Sequence, residues 1–231
     1  MKPVVVSGGK PPQPEWLRRL LGEDFFHEVA FLWFSGHQAT RTSAGLHVRY
    51  AALMDAGLEH LQDLPQLQAL GLGGTPIRDA GLQHLERSSQ LRSLDLAETQ
   101  VTDAGLKYLV ALNQLEVLAL ERTQITDSGL EHLRGLTRLK TLYLQGLPIT
   151  DAGLKYFVGL RQLRFLWLDK TQVTDAGLEH VKGLTSLQLL FLSRTQVTDA
   201  GLEYLKGLPG LVDLSLEGTQ VSDAGMVHLK G

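Results

Sequence analysis

Leucines set the rhythm of this chain. The pattern L-x-x-L-x-L occurs at Leu67, Leu70 and Leu72 and returns every 24 residues as far as Leu211, Leu214 and Leu216. Within a unit the period changes. Leu94-x-Leu96 alternates, as a short strand with one buried face does, whereas Leu106, Leu109 and Leu112 recur at helical spacing. Between them lies a polar link, Thr99-Gln100-Val101-Thr102-Asp103. Thr102 and Asp103 are both good helix N-caps, and spacing alone does not choose between them. Each unit therefore predicts strand, turn, short helix and return loop. One such unit cannot bury its apolar face alone, but stacked units can, with parallel strands on one wall and helices on the other.

The polar positions repeat as strictly as the apolar ones. Aspartates stand at 55, 79, 103, 127, 151, 175, 199 and 223, each followed two residues later by glycine. Thr75, Thr99, Thr123, Thr171, Thr195 and Thr219 fall where the chain leaves the strand, and a hydroxyl there can satisfy backbone groups exposed by the turn. Two units depart from the pattern. Glu86-Arg87-Ser88-Ser89 replaces an apolar helix ending, and Leu147-Pro148 replaces Thr-Gln. Both predict local distortion.

The unit L-x-x-L-x-L-x-x-T-x-V-T-D-A-G-L-x-x-L-x-x-L resembles the leucine-rich repeats. It is similar to their cysteine-containing, F-box-associated and ribonuclease-inhibitor-like subfamily with Thr in place of Cys, and to bacterial proteins with T-D-A-G-L units. The resemblance covers residues 43–231, about eight units. It implies an α/β fold: a right-handed horseshoe solenoid with a parallel concave sheet and short convex helices. It also implies protein binding, although proteins of this family bind many different things.

Residues 1–42 do not repeat. Pro14 to Leu21 has helical spacing, and Val29 to Phe34 reads as an apolar strand. The segment is expected to cap the first repeat. The alternative, an F-box, lacks a clear Leu-Pro start. Leu46 and Val48 have the offset of a degenerate first repeat strand. No polar capping unit is evident after the last repeat, so the strand from Leu211 to Leu216 is expected to show an open edge.

Composition narrows the function classes. A net charge of −3 gives no electrostatic reason to expect nucleic acid or an acidic membrane. The absence of cysteine removes disulfides, thiolate metal sites and thiol nucleophiles. Val4 to Val6 is too short for a signal peptide's apolar region, and no stretch approaches a membrane span. The expectation is a cytoplasmic protein without cofactor or metal. Gly71-Leu72-Gly73-Gly74 lacks the third glycine of a dinucleotide loop, and the repeat already explains its position. His60, His84, His132, His180 and His228 share one helix column with Tyr108, Tyr156 and Tyr204. Helix axes ~8–10 Å apart do not bring such residues onto one ion. The column therefore reads as packing between helices, and the protein as non-catalytic.

What fails to repeat carries the functional signal. Side chains between the strand leucines face away from the core. One such column runs His47, Gly71, Asp95, Ala119, Tyr143, Trp167, Phe191, Ser215, and its neighbour Ala69, Ser93, Val117, Thr141, Phe165, Leu189, Asp213. Tyr143, Trp167 and Phe191 are expected side by side, flanked by Phe165, Leu189 and Val117 and rimmed by Asp95, Glu121, Arg122, Asp169, Lys170, Arg194, Asp213 and Glu217. An aromatic centre with a charged rim is the make-up of a binding hot spot. The expected partner is another protein. The alternative is a self-assembling scaffold, a homo-oligomer formed through this patch or the open edge.

Overall fold

The alternating leucines form three-residue strands because one face of each is taken by the core while both edges are taken by neighbouring strands, leaving the other face outward. The computed structural model describes residues 31–35, 40–42, 45–49, 55, 58, 59, 61, 64 and 66–229. Three strands lie at the N-terminal side: β1 (Phe31–Ser35), β2 (Thr40–Thr42) and β3 (Gly45–Arg49). Seven repeat strands follow: β4 (Ala69–Gly71), β5 (Ser93–Asp95), β6 (Val117–Ala119), β7 (Thr141–Tyr143), β8 (Phe165–Trp167), β9 (Leu189–Phe191) and β10 (Asp213–Ser215). They form one sheet in the order β10-β9-β8-β7-β6-β5-β4-β1-β3-β2. All neighbours are parallel except the β2–β3 pair. The architecture is the expected leucine-rich-repeat solenoid.

The N-terminal order differs from the sequence reading. Leu46 and Val48 do lie on a strand, but β1 stands between that strand and β4, pairing Leu32 with Leu46 on one side and with Leu70 on the other. Trp33 therefore occupies the register between His47 and Gly71. Any parallel strand with the right alternation can extend such a sheet, so order in the chain does not fix order in space. The predicted helix at Pro14 to Leu21 lies outside the described residues.

Between repeat strands the chain makes one turn of α-helix, as in α1 (Asp79–Leu82), α2 (Asp103–Leu106), α3 (Asp127–Leu130) and α4 (Asp151–Leu154), each continued by a 3₁₀ turn. The segment α5 (Asp175–Val181) is α-helical throughout, and Asp199–Leu205 is 3₁₀ throughout. The leucine ladders between sheet and helices are fully buried from Leu70 to Leu192, whereas Leu211, Leu214 and Leu216 of the last strand unit are only partly covered.

The two polar ladders have distinct jobs. Each turn threonine donates its hydroxyl to the carbonyl three residues back, for example Thr99 to Leu96 at 2.7 Å and Thr171 to Leu168 at 2.6 Å. From Asp103 to Asp199 the helix cap is the threonine before the aspartate, as where Thr102 accepts from the Ala104 N–H at 3.3 Å, whereas Arg78 before Asp79 makes no side-chain cap bond. The aspartate instead reaches the next repeat. Asp79 Oδ1 accepts the Thr102 N–H at 2.8 Å, and its Oδ2 accepts the Thr102 hydroxyl at 2.6 Å. The same pair of bonds recurs from Asp103 through Asp199. The glycines make room for it, since a Cβ on Gly105 would come closer than 3.0 Å to Asp79 Oδ1.

Neither irregular repeat distorts the backbone. Ser88 makes the turn bonds of its leucine counterpart: Ser88 N–H to Leu85 O at 2.8 Å and Leu91 N–H to Ser88 O at 3.0 Å, matching Leu112 and Leu115. Leu147 keeps the bond from its N–H to Leu144 O at 3.2 Å and replaces the threonine hydroxyl bond with burial. Neighbouring repeats fix the path of the main chain more strongly than one side chain can change it.

Candidate functional site

Parallel strands in register bring equivalent residues of successive repeats about 4.8 Å apart, close to the separation of stacked rings. The sequence places three aromatic residues in consecutive units of one outward column, and the sheet stacks them. Tyr143 pairs in register with Trp167, and Trp167 with Phe191. Their ring centroids are 4.2 Å and 5.2 Å apart, with interplanar angles of 22° and 4°. Phe165, in the adjacent column, tilts against Trp167 at 6.4 Å and 42°. Leu189 pairs with Phe165, and Val117 pairs with Thr141 two strands before Leu189. The expected cluster is present, with one difference: the rings are half-buried rather than fully exposed, because each covers the face of the next. Thr141, small among large neighbours, is buried outright.

The rim divides into two unlike ends. At the β5–β6 end, Asp95, Glu98 and Glu121 lie close enough to feel one another's charge, and the Arg122 guanidinium acts on Glu98 and Glu121. Arg122 pairs with Glu98 at 2.5 Å. Asp95 Oδ1 accepts the Ala97 N–H at 2.9 Å. Ala119, between Asp95 and Tyr143 in register, is buried beneath its neighbours. Burial pushes the Asp95 carboxyl above its ordinary range, the charge of Glu98 adding to the effect and the Ala97 N–H opposing it. Burial likewise raises Glu121, with Asp95 and Glu98 acting in the same direction and Arg122 against. The Tyr143 hydroxyl is raised by burial first and by the Glu121 charge second. Glu121 Oε2 and Gln145 Oε1 are closed off from solvent and accept no hydrogen bond. At the β8–β10 end charges of both signs alternate. Asp169 Oδ1 accepts the Ser193 N–H at 2.9 Å, and Arg194 lies 3.6 Å from Glu217. Lys170 and Asp213 are also exposed or half-exposed here.

Glu98 and Gln145 were not singled out by the sequence reading, and a backbone feature distinguishes Glu98. The residue ending each strand turn is left-handed in every repeat from 74 to 218. It is Gly74, Gly146 and Gly218 in three units, and Glu98, Arg122, Lys170 and Arg194 in the other four, with φ of 57–59°. A left-handed conformation costs an L-residue about 1–2 kcal/mol, and glycine almost nothing. Four repeats therefore hold a charged side chain where glycine is less strained, and Arg122, Lys170 and Arg194 belong to the repeats of the aromatic strip or the one beside it. The signal in the sequence is a position, 24 residues apart, that holds either glycine or a charge.

On the convex side His84, His132, His180 and His228 share the predicted column with Tyr108, Tyr156 and Tyr204, and all are half-buried. The tyrosines pack against the core, and Lys107 and Lys155 lie over the rings of Tyr108 and Tyr156 at 4.7 Å and 4.8 Å. His60 lies outside the described residues. Among the described residues no three His, Asp or Glu side chains gather into a group able to hold a metal ion, and no helix is long and apolar enough to cross a membrane.

Comparison with known proteins agrees with this architecture. The family profile described as Leucine Rich repeat matches residues 87–110. Among solved structures, an internalin C2 from Listeria monocytogenes is similar, with 28% sequence identity and a TM-score of 0.66 over 78% of this chain and 73% of that one. No curated protein matches. The internalin is one of 440 solved chains that match, and a fold so widely shared leaves the partner to be argued from the site.

Proposed function

We propose that this leucine-rich-repeat solenoid acts by binding a protein on its concave strand face, and that the strip of Tyr143, Trp167 and Phe191 anchors the contact. The observation that supports this is the stack itself. The scaffold is built from what repeats, and three large rings in one outward column are not part of that repeat. Rigid aromatics contribute large contact area at low entropic cost, and such residues dominate interface energetics. Phe165, Leu189 and Val117 widen the apolar floor. Asp95, Glu121, Arg122, Asp169, Lys170 and Arg194 form a rim that sets register and rejects wrong partners.

The test is the triple variant Tyr143→Ala, Trp167→Ala, Phe191→Ala, with retained circular dichroism as the control for folding. Quantitative mass spectrometry of proteins captured by the wild-type chain should show specific partners lost with the variant. An unchanged set would refute the concave strip as the anchor. The same variant addresses self-association: light scattering over a concentration series would show a wild-type dimer that the variant cannot form if the strip docks a second copy.

A further inference from the structure

The two ends of the strip ask for different chemistry, and this identifies the occupant more closely. The inference rests on the concave-face reading above. At the β5–β6 end the carboxylates of Asp95, Glu98 and Glu121 feel one another's charge, and the nearby Arg122 guanidinium is already committed to Glu98. Glu121 Oε2 and Gln145 Oε1, equivalent atoms of neighbouring repeats, are acceptors without donors. A buried acceptor left unpaired is a penalty the free protein bears, and a partner's donor relieves it once the side chain turns outward to meet it. A donor with positive charge also offsets the repulsion among Asp95, Glu98 and Glu121. Glu98 and Arg122 are held there in left-handed backbone, at a position where other repeats use glycine. At the β8–β10 end Lys170 and Arg194 stand among Asp169, Asp213 and Glu217, with Arg194 paired to Glu217, so the carboxylates there are largely offset.

We infer that the concave face docks an extended protein segment that places a Lys or Arg side chain against Asp95 and Glu121 and packs an aromatic or aliphatic side chain against the outward edge of Trp167. The register fixes the spacing. Asp95, Ala119, Tyr143 and Trp167 lie on consecutive strands, three steps and so roughly 14 Å apart at about 4.8 Å per step. An extended segment advances about 3.3 Å per residue, so the cation and the apolar anchor are separated by about four residues, give or take the reach of the side chains. The ring of Tyr143 lies between the two and offers the cation a π face as well as a carboxylate.

Random dodecamers displayed on phage and panned against the whole chain test this. Enriched peptides should carry Lys or Arg about three to five residues from an aromatic or aliphatic anchor. A synthetic peptide of that sequence should lose about tenfold or more in affinity against the double variant Asp95→Asn, Glu121→Gln, and should weaken in about 0.5 M salt. Both replacements remove a desolvated charge, so loss of folding does not imitate loss of binding. If the peptides lack a cation, or bind the double variant unchanged, while Trp167→Ala abolishes binding, the cation site is overturned and the concave reading stands. If binding ignores Trp167→Ala as well, or no peptide is enriched, both are overturned.

Discussion

Asp103 binds Thr126 of the next repeat twice, taking its N–H on Oδ1 at 2.7 Å and its hydroxyl on Oδ2 at 2.6 Å. The same Oδ1 occupies the space that a side chain on Gly129 would need, closer than 3.0 Å. Aspartate, threonine and glycine are therefore one device spread over two repeats. Asp103→Ala should cost about 1–2 kcal/mol in urea unfolding, through two lost bonds and a weakened cap. Gly129→Ala should cost about 1–3 kcal/mol by overlap. The double variant should be less destabilised than the sum by about 1 kcal/mol, because removing the carboxylate removes the overlap. Strict additivity would separate the two columns and refute the device.

Gly146 isolates the cost of the left-handed turn. It has φ of 76°, and nothing lies within 4 Å of a Cβ built there. Gly146→Ala should lower stability by about 1 kcal/mol through backbone conformation alone. Gly135 also has open space around its Cβ and no positive φ. Gly135→Ala should leave stability unchanged or raise it by up to about 1 kcal/mol. Equal effects at the two sites, measured by thermal unfolding, would contradict this account.

Asp95 supplies a pH signature. Its folded-state carboxyl is raised above the ordinary value of 3.8, chiefly by burial. A raised carboxylate binds its proton more tightly when folded, so its contribution to stability is complete below 3.8 and is lost as pH rises through the folded value. Asp95→Asn keeps the Oδ1 acceptor for the Ala97 N–H and removes the charge. The variant should be more stable than wild type at neutral pH, with the advantage shrinking as pH falls toward 3.8. An advantage independent of pH would place its origin elsewhere.

The ladders were legible in the sequence because each recurs in most or all of the repeats, and repetition separates scaffold from function. Strand register followed from Leu94 and Leu96, and from register the Tyr143–Trp167–Phe191 row. Spacing did not reveal how the aspartates act, because a residue 23 positions away binds as readily as one nearby when repeats stack. Nor did it place Phe31–Ser35 beside β4, since a parallel strand joins a sheet by pattern rather than by order. The half-burial of the rings was equally hidden. Alternation says which face a side chain occupies, and stacking between repeats decides how much of it stays exposed.

Lys170 combines a strained backbone with a place on the rim. It is left-handed, with φ of 57°, and Gly146 shows that its position accepts glycine in the preceding repeat. Lys170→Gly should therefore raise stability, by up to about 1 kcal/mol once the greater freedom of an unfolded glycine is set against the relief of strain. That corresponds to a rise in melting temperature of roughly 2–4 °C for a chain of this size. If the lysine is held there to meet a partner, the same substitution should weaken capture of proteins that depend on Trp167. Stability and binding would then move in opposite directions. A variant that loses stability would show that the lysine serves the fold. One that gains stability and keeps every partner would remove Lys170 from the rim.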